Sequence, residues 1–194
     1  MQNSPLPRLP DKPAWLNRVS ILGVGLLGGS VGLSLRRSGI HVVGYRRRDS
    51  SCQAAIKRGA IDMGFTDIEK ACRGSDVVVI ASPVDKIAQL ASRANASLGE
   101  GALITNVGST KARFIAELDS LSPAAARRFV AAHPIAGSEK TGVENASATL
   151  MDDKLVILTP LEDTDHDLIG RANAFWLQTG SKTISMTPQE HDER

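Results

Sequence analysis

The 194 residues carry 23 Lys and Arg against 21 Asp and Glu, a formal net charge of +2, with 42% hydrophobic, 23% charged and 4% aromatic residues. That is the balance of an ordinary globule, without the basic excess or the stacking rings that nucleic acid or an acidic membrane surface would require. No apolar run approaches the ~18 residues of a membrane span, no basic-then-apolar leader opens the chain, and Cys52 and Cys72 lack metal-ligand spacing; the expectation is a reduced, cytoplasmic protein of one domain without a metal.

Residues 1–12, with Pro5, Pro7 and Pro10 and no apolar periodicity, are expected to form a flexible tail ahead of a domain over 13–186. The β-type run Val19, Ser20, Ile21, Leu22 leads into Gly23-Val24-Gly25-Leu26-Leu27-Gly28, a G-x-G-x-x-G pattern between a strand and a helix over 26–38 that Gly39 closes. Gly23 permits the tight turn, Gly25 lets a pyrophosphate approach the backbone, and Gly28 lets the helix pack on the strand. Gly23, Gly25, Leu26, Leu27 and Gly28 are therefore assigned to a dinucleotide. In the helix, Leu26, Leu27, Val31 and Leu35 make one apolar face. The second strand, 41–45, ends in Tyr45-Arg46-Arg47-Arg48, where an acid would hydrogen-bond a ribose 2′-hydroxyl. Guanidinium groups match a phosphate instead, so NADP is favoured over NAD; the alternative is a solvated basic turn.

Asp49 or Ser50 is expected to cap a helix reaching Arg58, a short edge strand falls within 61–65, and Thr66 opens a helix to Arg73. The unbroken apolar run over 76–81 predicts a central parallel strand beside the first. Ser82 and Pro83 read as the cap and first residue of a helix directly above that strand's carboxyl end, against the cofactor. Strands at 103–105 and 128–132 continue the alternation, which is that of an α/β fold with a Rossmann-type, doubly wound, mainly parallel sheet. Another strand at 154–158, an amphipathic helix over 165–179 ended by Gly180 and a strand at 182–184 complete the domain. Thr187-Pro188-Gln189-Glu190 is a capped helix start, and 187–194 are too few residues to hold a helix in water, so this end is expected to fray.

Two polar loops lie at the carboxyl ends of predicted strands, where an open α/β sheet binds its ligands: 106–111, with Ser109 and Lys111, and 133–142, with His133, Ser138 and Glu139. Ser109 reads as a helix cap, a ligand contact or both, and Lys111 as either a solvated helix residue or a site residue. His133 has the stronger claim, since it leaves a buried strand just before a proline and faces the crevice, whereas His41 and His166 read as exposed.

Together, Gly23-Val24-Gly25-Leu26-Leu27-Gly28-Gly29-Ser30, Val107-Gly108-Ser109-Thr110-Lys111, the run from His133 through Gly142, Leu158-Thr159-Pro160 and His191-Asp192 resemble the prephenate and arogenate dehydrogenases of tyrosine biosynthesis, over nearly all of 18–194. The resemblance implies that His133 is the catalytic histidine, that Ser109 helps hold the substrate hydroxyl and His133, and that Ser138 and Glu139 line the substrate pocket. The alternatives for Glu139 are a surface residue and a polar gate to the pocket. Asn106 stands where many relatives carry an acid, and Arg46 where NAD-dependent relatives carry Asp. The resemblance also implies a following all-helical domain that forms a homodimer and brings an arginine to the substrate carboxylate, so the chain reads as a fragment of a longer enzyme. The rival readings are an NADP oxidoreductase of the 3-hydroxyacid dehydrogenase or imine reductase type and a non-catalytic NADP-binding module.

Overall fold

Strand β1 (Arg18–Leu22) and strand β4 (Val77–Ile80) lie side by side in the computed structural model, which describes residues 9–109 and 112–193. Both are almost wholly buried, as runs of β-branched and aliphatic residues must be when helices cover both faces of a parallel sheet. Strand β2 (His41–Tyr45) pairs with the other edge of β1, β3 (Met63–Phe65) lies outside it, and β5 (Leu103–Asn106) flanks β4. The resulting order β3-β2-β1-β4-β5 is parallel throughout, and the connection reverses between β1 and β4. That reversal opens a crevice at the carboxyl ends of these two strands.

Helix α1 (Leu26–Arg37) lies on one face, and α2 (Asp49–Lys57), α3 (Ile68–Cys72) and α4 (Ile87–Asn95) link the next strands. The close contact of α1 is made by its small residues: a side chain at Gly28 would strike the Gly23 carbonyl, and one at Gly32 the Ala60 carbonyl. Val31 and Leu35 are buried as expected, whereas Leu26 and Leu27 are only half-buried, at the mouth of the crevice.

Several expected helix starts move. Arg48 precedes α2 without a side-chain cap bond, so neither Asp49 nor Ser50 caps it, and α3 is capped by Asp67, whose Oδ1 accepts from the Lys70 N–H at 2.9 Å, rather than opened by Thr66. Ser82 does not cap a helix. Its Oγ donates to the Leu22 carbonyl at 2.9 Å, tying the ends of β4 and β1 together, and Pro83 leads into a 3₁₀ turn (Val84–Lys86) before α4.

The expected strand at 128–132 is divided. Ile104 bridges Phe129 through two backbone bonds, Ile104 N–H to Arg128 O at 2.8 Å and Val130 N–H to Ile104 O at 2.9 Å. The continuous ladder begins only at β6 (Ala131–Pro134), which turns to β7 (Leu155–Thr159) as its partner. Pairing of β6 with β7 is antiparallel and of β7 with β8 (Lys182–Ser185) parallel, giving a second, three-stranded sheet. Helix α5 (Ala112–Leu121) and the short α6 (Pro123–Ala126) connect the two sheets, α7 (His166–Leu177) joins β7 to β8, and α8 (Pro188–Asp192) follows. One apolar cluster gathers Val31, Leu35, Phe175 and Trp176, the other Ile87, Phe114, Leu118 and Phe129, with the Phe114 and Phe129 rings 5.6 Å apart.

The tail expected over 1–12 is anchored in its described part: Gln178 Nε2 donates to the carbonyls of Pro10 and Asp11, each at 3.2 Å, and Lys12 Nζ to Asn17 Oδ1 at 2.8 Å. Residues 1–8 lie outside the described residues.

Both cysteines are fully buried free thiols, and burial pushes Cys72 from its ordinary 9.0 up to about 12. The native chain at pH 8 should therefore leave both thiols unmodified by an aromatic disulfide reagent, while denaturant should release two equivalents per chain. Because the unfolded chain loses the Cys72 proton first, its contribution to stability is intact below pH 9 and declines as pH rises toward 12. Equilibrium unfolding across that range, compared with Cys72→Ala, measures the slope.

Candidate functional site

The crevice begins at Gly23. Its φ of +108° serves the sharp turn from β1 to α1, and a side chain there would strike the Ala81 carbonyl, so the position needs glycine. Gly25, by contrast, faces open space: a methyl group there would meet no atom within 4 Å. The first helical bond of α1 runs from the Gly29 N–H to the Gly25 carbonyl at 2.9 Å, so the N–H groups of Leu26, Leu27 and Gly28 precede the hydrogen-bonded ladder. No side chain caps this end, and its first turn holds no acid. Open space, N–H donors without a partner among the described residues and the positive end of a 12-residue helix suit an anion such as a pyrophosphate.

The end of β2 forms the next wall. Tyr45 is half-buried and in register with Leu22, and the Arg46 N–H donates to the Phe65 carbonyl at 3.1 Å, so pairing with β3 fixes where this turn leaves the sheet. Arg46 is half-buried, Arg47 and Arg48 are exposed, and none of the three pairs with a carboxylate among the described residues. Ser82 and Pro83 stand at the end of β4 on the other side, Ser82 spent on Leu22 and Pro83 exposed.

Asn106 closes β5 and is fully buried. Its Oδ1 accepts from the Ala132 N–H at 3.0 Å, which pins the start of β6, and with it His133, to the carboxyl end of β5. Its buried Nδ2 lacks a partner among the described residues, a donor that an acid at this position would not supply. Ser109 is exposed on the bend that follows, and Lys111 lies outside the described residues.

His133 is half-buried within β6, opposite Ile157, rather than beyond the strand. Its Nδ1 lies 2.9 Å from Nε2 of His191, and the two rings meet edge to face with centroids 5.1 Å apart. His191 is 9% exposed, and its own Nδ1 lies 2.9 Å from Oδ1 of Asp192.

Helix α8 is thus formed, contrary to the expected fraying. Both bonds of its capping box are present, Glu190 N–H to Thr187 Oγ1 at 3.2 Å and Thr187 N–H to Glu190 Oε2 at 2.8 Å, and it packs on β7 and α5. The pairing of His191 with His133 was missed from sequence, although one signal was present. The capping box sets His191 at the fourth helical position, where the residue commonly turns inward to pack.

Ser138 and Glu139 are exposed on the loop after β6, where the Ser138 Oγ accepts from the Lys140 N–H at 3.2 Å. The structure thus joins His133 to Asn106, through its neighbour, and to His191, while the two expected pocket residues face solvent. His166 is exposed as expected, and His41 is half-buried beside Asp62 at 3.6 Å.

Comparison with known proteins bears on this arrangement directly. The family model described as prephenate dehydrogenase, nucleotide-binding domain, matches residues 31–185. The chain belongs to the prephenate dehydrogenase family. It is 32% identical to the prephenate dehydrogenase of Bacillus subtilis strain 168 over 90% of this chain and 47% of that protein. Among solved structures, the prephenate dehydrogenase of A. aeolicus, in complex with hydroxyphenyl propionate and NAD+, superposes with a TM-score of 0.82 at 37% identity over 91% of this chain and 62% of the other. Synechocystis arogenate dehydrogenase superposes with a TM-score of 0.83 at 26% identity, over 91% and 62%. The chain spans about half the length of the curated relatives it matches. As a nucleotide-binding domain of this family, it has in the glycine turn and α1 the parts that fit a dinucleotide.

Proposed function

We propose that this chain is the NADP-binding half of a dehydrogenase that oxidatively decarboxylates prephenate or arogenate. The observation that carries the reading is a half-buried histidine on β6 beside the carboxyl end of β5, its Nδ1 2.9 Å from His191 Nε2, in a chain of this family. When bound, the nicotinamide would supply the hydride acceptor; the rest is positioning by the protein. A neutral His133 accepts the hydrogen bond of the substrate hydroxyl and so stabilises the positive charge that develops on the carbon losing hydride. Departure of carbon dioxide then makes the ring aromatic. Ser109 orients the alcohol, Ser138 and Glu139 come to line the pocket when substrate fills it, and Lys111 is a further basic neighbour. Arg46 to Arg48 receive the 2′-phosphate of NADP.

A substrate carboxylate needs a cation, and the resemblance assigns it to an arginine of a helical, dimer-forming domain beyond 187–194. The 194-residue chain should therefore bind NADP but form NADPH slowly or not at all. Calorimetric titration with NADP and NAD, followed by absorbance of NADPH after addition of prephenate or arogenate, tests both halves of the reading. The same assay on the sequence continued through the helical domain should give rapid NADPH formation with one of the two substrates. Failure of that longer protein to oxidise either would overturn the assignment.

A further inference from the structure

We infer that Asp192 and His191 act in series as positioning residues that hold His133 in the tautomer a base requires; the catalytic part of this inference rests on the function proposed above. An ionised carboxylate only accepts hydrogen bonds, so the His191 Nδ1 at 2.9 Å from Asp192 Oδ1 carries the hydrogen. A neutral imidazole has one N–H, which leaves a lone pair on His191 Nε2. That atom is 2.9 Å from His133 Nδ1, and two lone pairs cannot face each other at this distance, so His133 Nδ1 is the donor. The hydrogen of His133 is then on Nδ1, and its Nε2 is left with the acceptor role that an alcohol requires. Reversal of the order would put the hydrogen on Nε2 and leave the ring unable to accept from an alcohol.

The arrangement is built rather than incidental. His191 is 9% exposed, the capping box and the contacts of α8 with β7 and α5 fix its backbone, and Asn106 fixes that of the residue preceding His133. Two elements far apart in sequence, β6 and α8, are thereby joined at the ring nitrogen opposite the reacting one. A carboxylate acting through an intervening ring also favours the partial positive charge that His133 acquires while it holds the substrate hydroxyl.

Long-range ¹H–¹⁵N correlation spectra of the histidine rings, taken at pH 8 on the 194-residue chain, read the tautomer directly. The His133 signals are assigned by their loss in His133→Asn. Wild-type His133 should be protonated at Nδ1, His191→Ala should shift it toward the Nε2-protonated form that free imidazoles prefer, and His191→Gln, whose amide oxygen can still accept, should keep it at Nδ1. Should His191→Ala not fold, the wild-type and Gln spectra still decide. A wild-type His133 protonated at Nε2, or a tautomer unmoved in a folded His191→Ala, overturns the inference. In the longer protein, His191→Ala should lower kcat by about 10- to 100-fold with KM for NADP unchanged, and His191→Gln should recover most of it. Equal losses in Ala and Gln would refute the positioning role. Expected spectra without turnover in any protein would instead refute the proposed function and leave the hydrogen-bond order standing.

Discussion

Replacing His133 with Asn in a protein that turns over substrate is expected to lower kcat by about 10²- to 10⁴-fold and to leave NADP affinity within about twofold. The two halves of this expectation have separate physical origins. An amide oxygen can accept a hydrogen bond but has almost no affinity for a proton, so it gives little to the cation-like centre formed when hydride leaves. Cofactor affinity should survive because the determinants proposed for it lie elsewhere, in the open backbone at Gly25, the unladdered N–H groups of α1 and the arginines after β2. The variant is also tolerable structurally: His133 is half-buried, and the bond that seats this part of β6 is made by the Ala132 backbone to Asn106. Stopped-flow measurement of NADPH formation, with NADP affinity from calorimetry, separates these effects. A variant with unchanged kcat would remove His133 from the chemistry. The fall of the wild-type rate toward acid pH, where the imidazole is charged and can no longer accept, should likewise be missing from the variant's residual rate.

What could be read from the sequence divides by the range of the interactions involved. The turn at Gly23, the strands flanking it and the buried run of β4 are properties of short windows, and those windows carry unambiguous period and glycine signals. The capped start of α8 is equally local and was legible as Thr187 followed by Pro188 and Glu190. The division of 128–134 between two sheets was not, because each half is apolar and only its partners, β5 for one and β7 for the other, distinguish them. Ser82 was misassigned for a related reason: a serine before a proline signals a cap, but the Leu22 carbonyl across the crevice takes its hydroxyl. The same limit explains His191, whose burial follows from α8 settling on β7 and α5. A five-residue helix that would melt alone is held by contacts that no local pattern contains.

Substituting Arg46 with Asp should reverse the cofactor preference, lowering NADP affinity by about 10- to 150-fold, which corresponds to the 1.5–3 kcal/mol typical of one charge-assisted contact. Its location makes Arg46 the informative choice among the three arginines. The backbone N–H is held by the Phe65 carbonyl at 3.1 Å, so the turn keeps its place whatever side chain it carries, whereas Arg47 and Arg48 are exposed further along it. No described carboxylate is paired with Arg46, so its removal strands no buried charge and should cost little stability. The new carboxylate would repel a 2′-phosphate and could instead accept hydrogen bonds from the free ribose hydroxyls of NAD, so the two affinities should move in opposite directions. Arg46→Ala separates the contributions: it should weaken NADP without strengthening NAD, since it removes attraction and adds no acceptor. Raising salt should erode the wild-type preference for NADP and leave NAD binding to Arg46→Asp nearly unchanged, because only the first depends on an exposed charge pair. Competition titrations of the two dinucleotides against the wild type and both variants supply these numbers. Equal or tighter binding of NAD by the wild type, such as a chain relying on α1 and the glycine turn alone would show, would mean that the three arginines are a solvated turn and that the phosphate assignment is wrong.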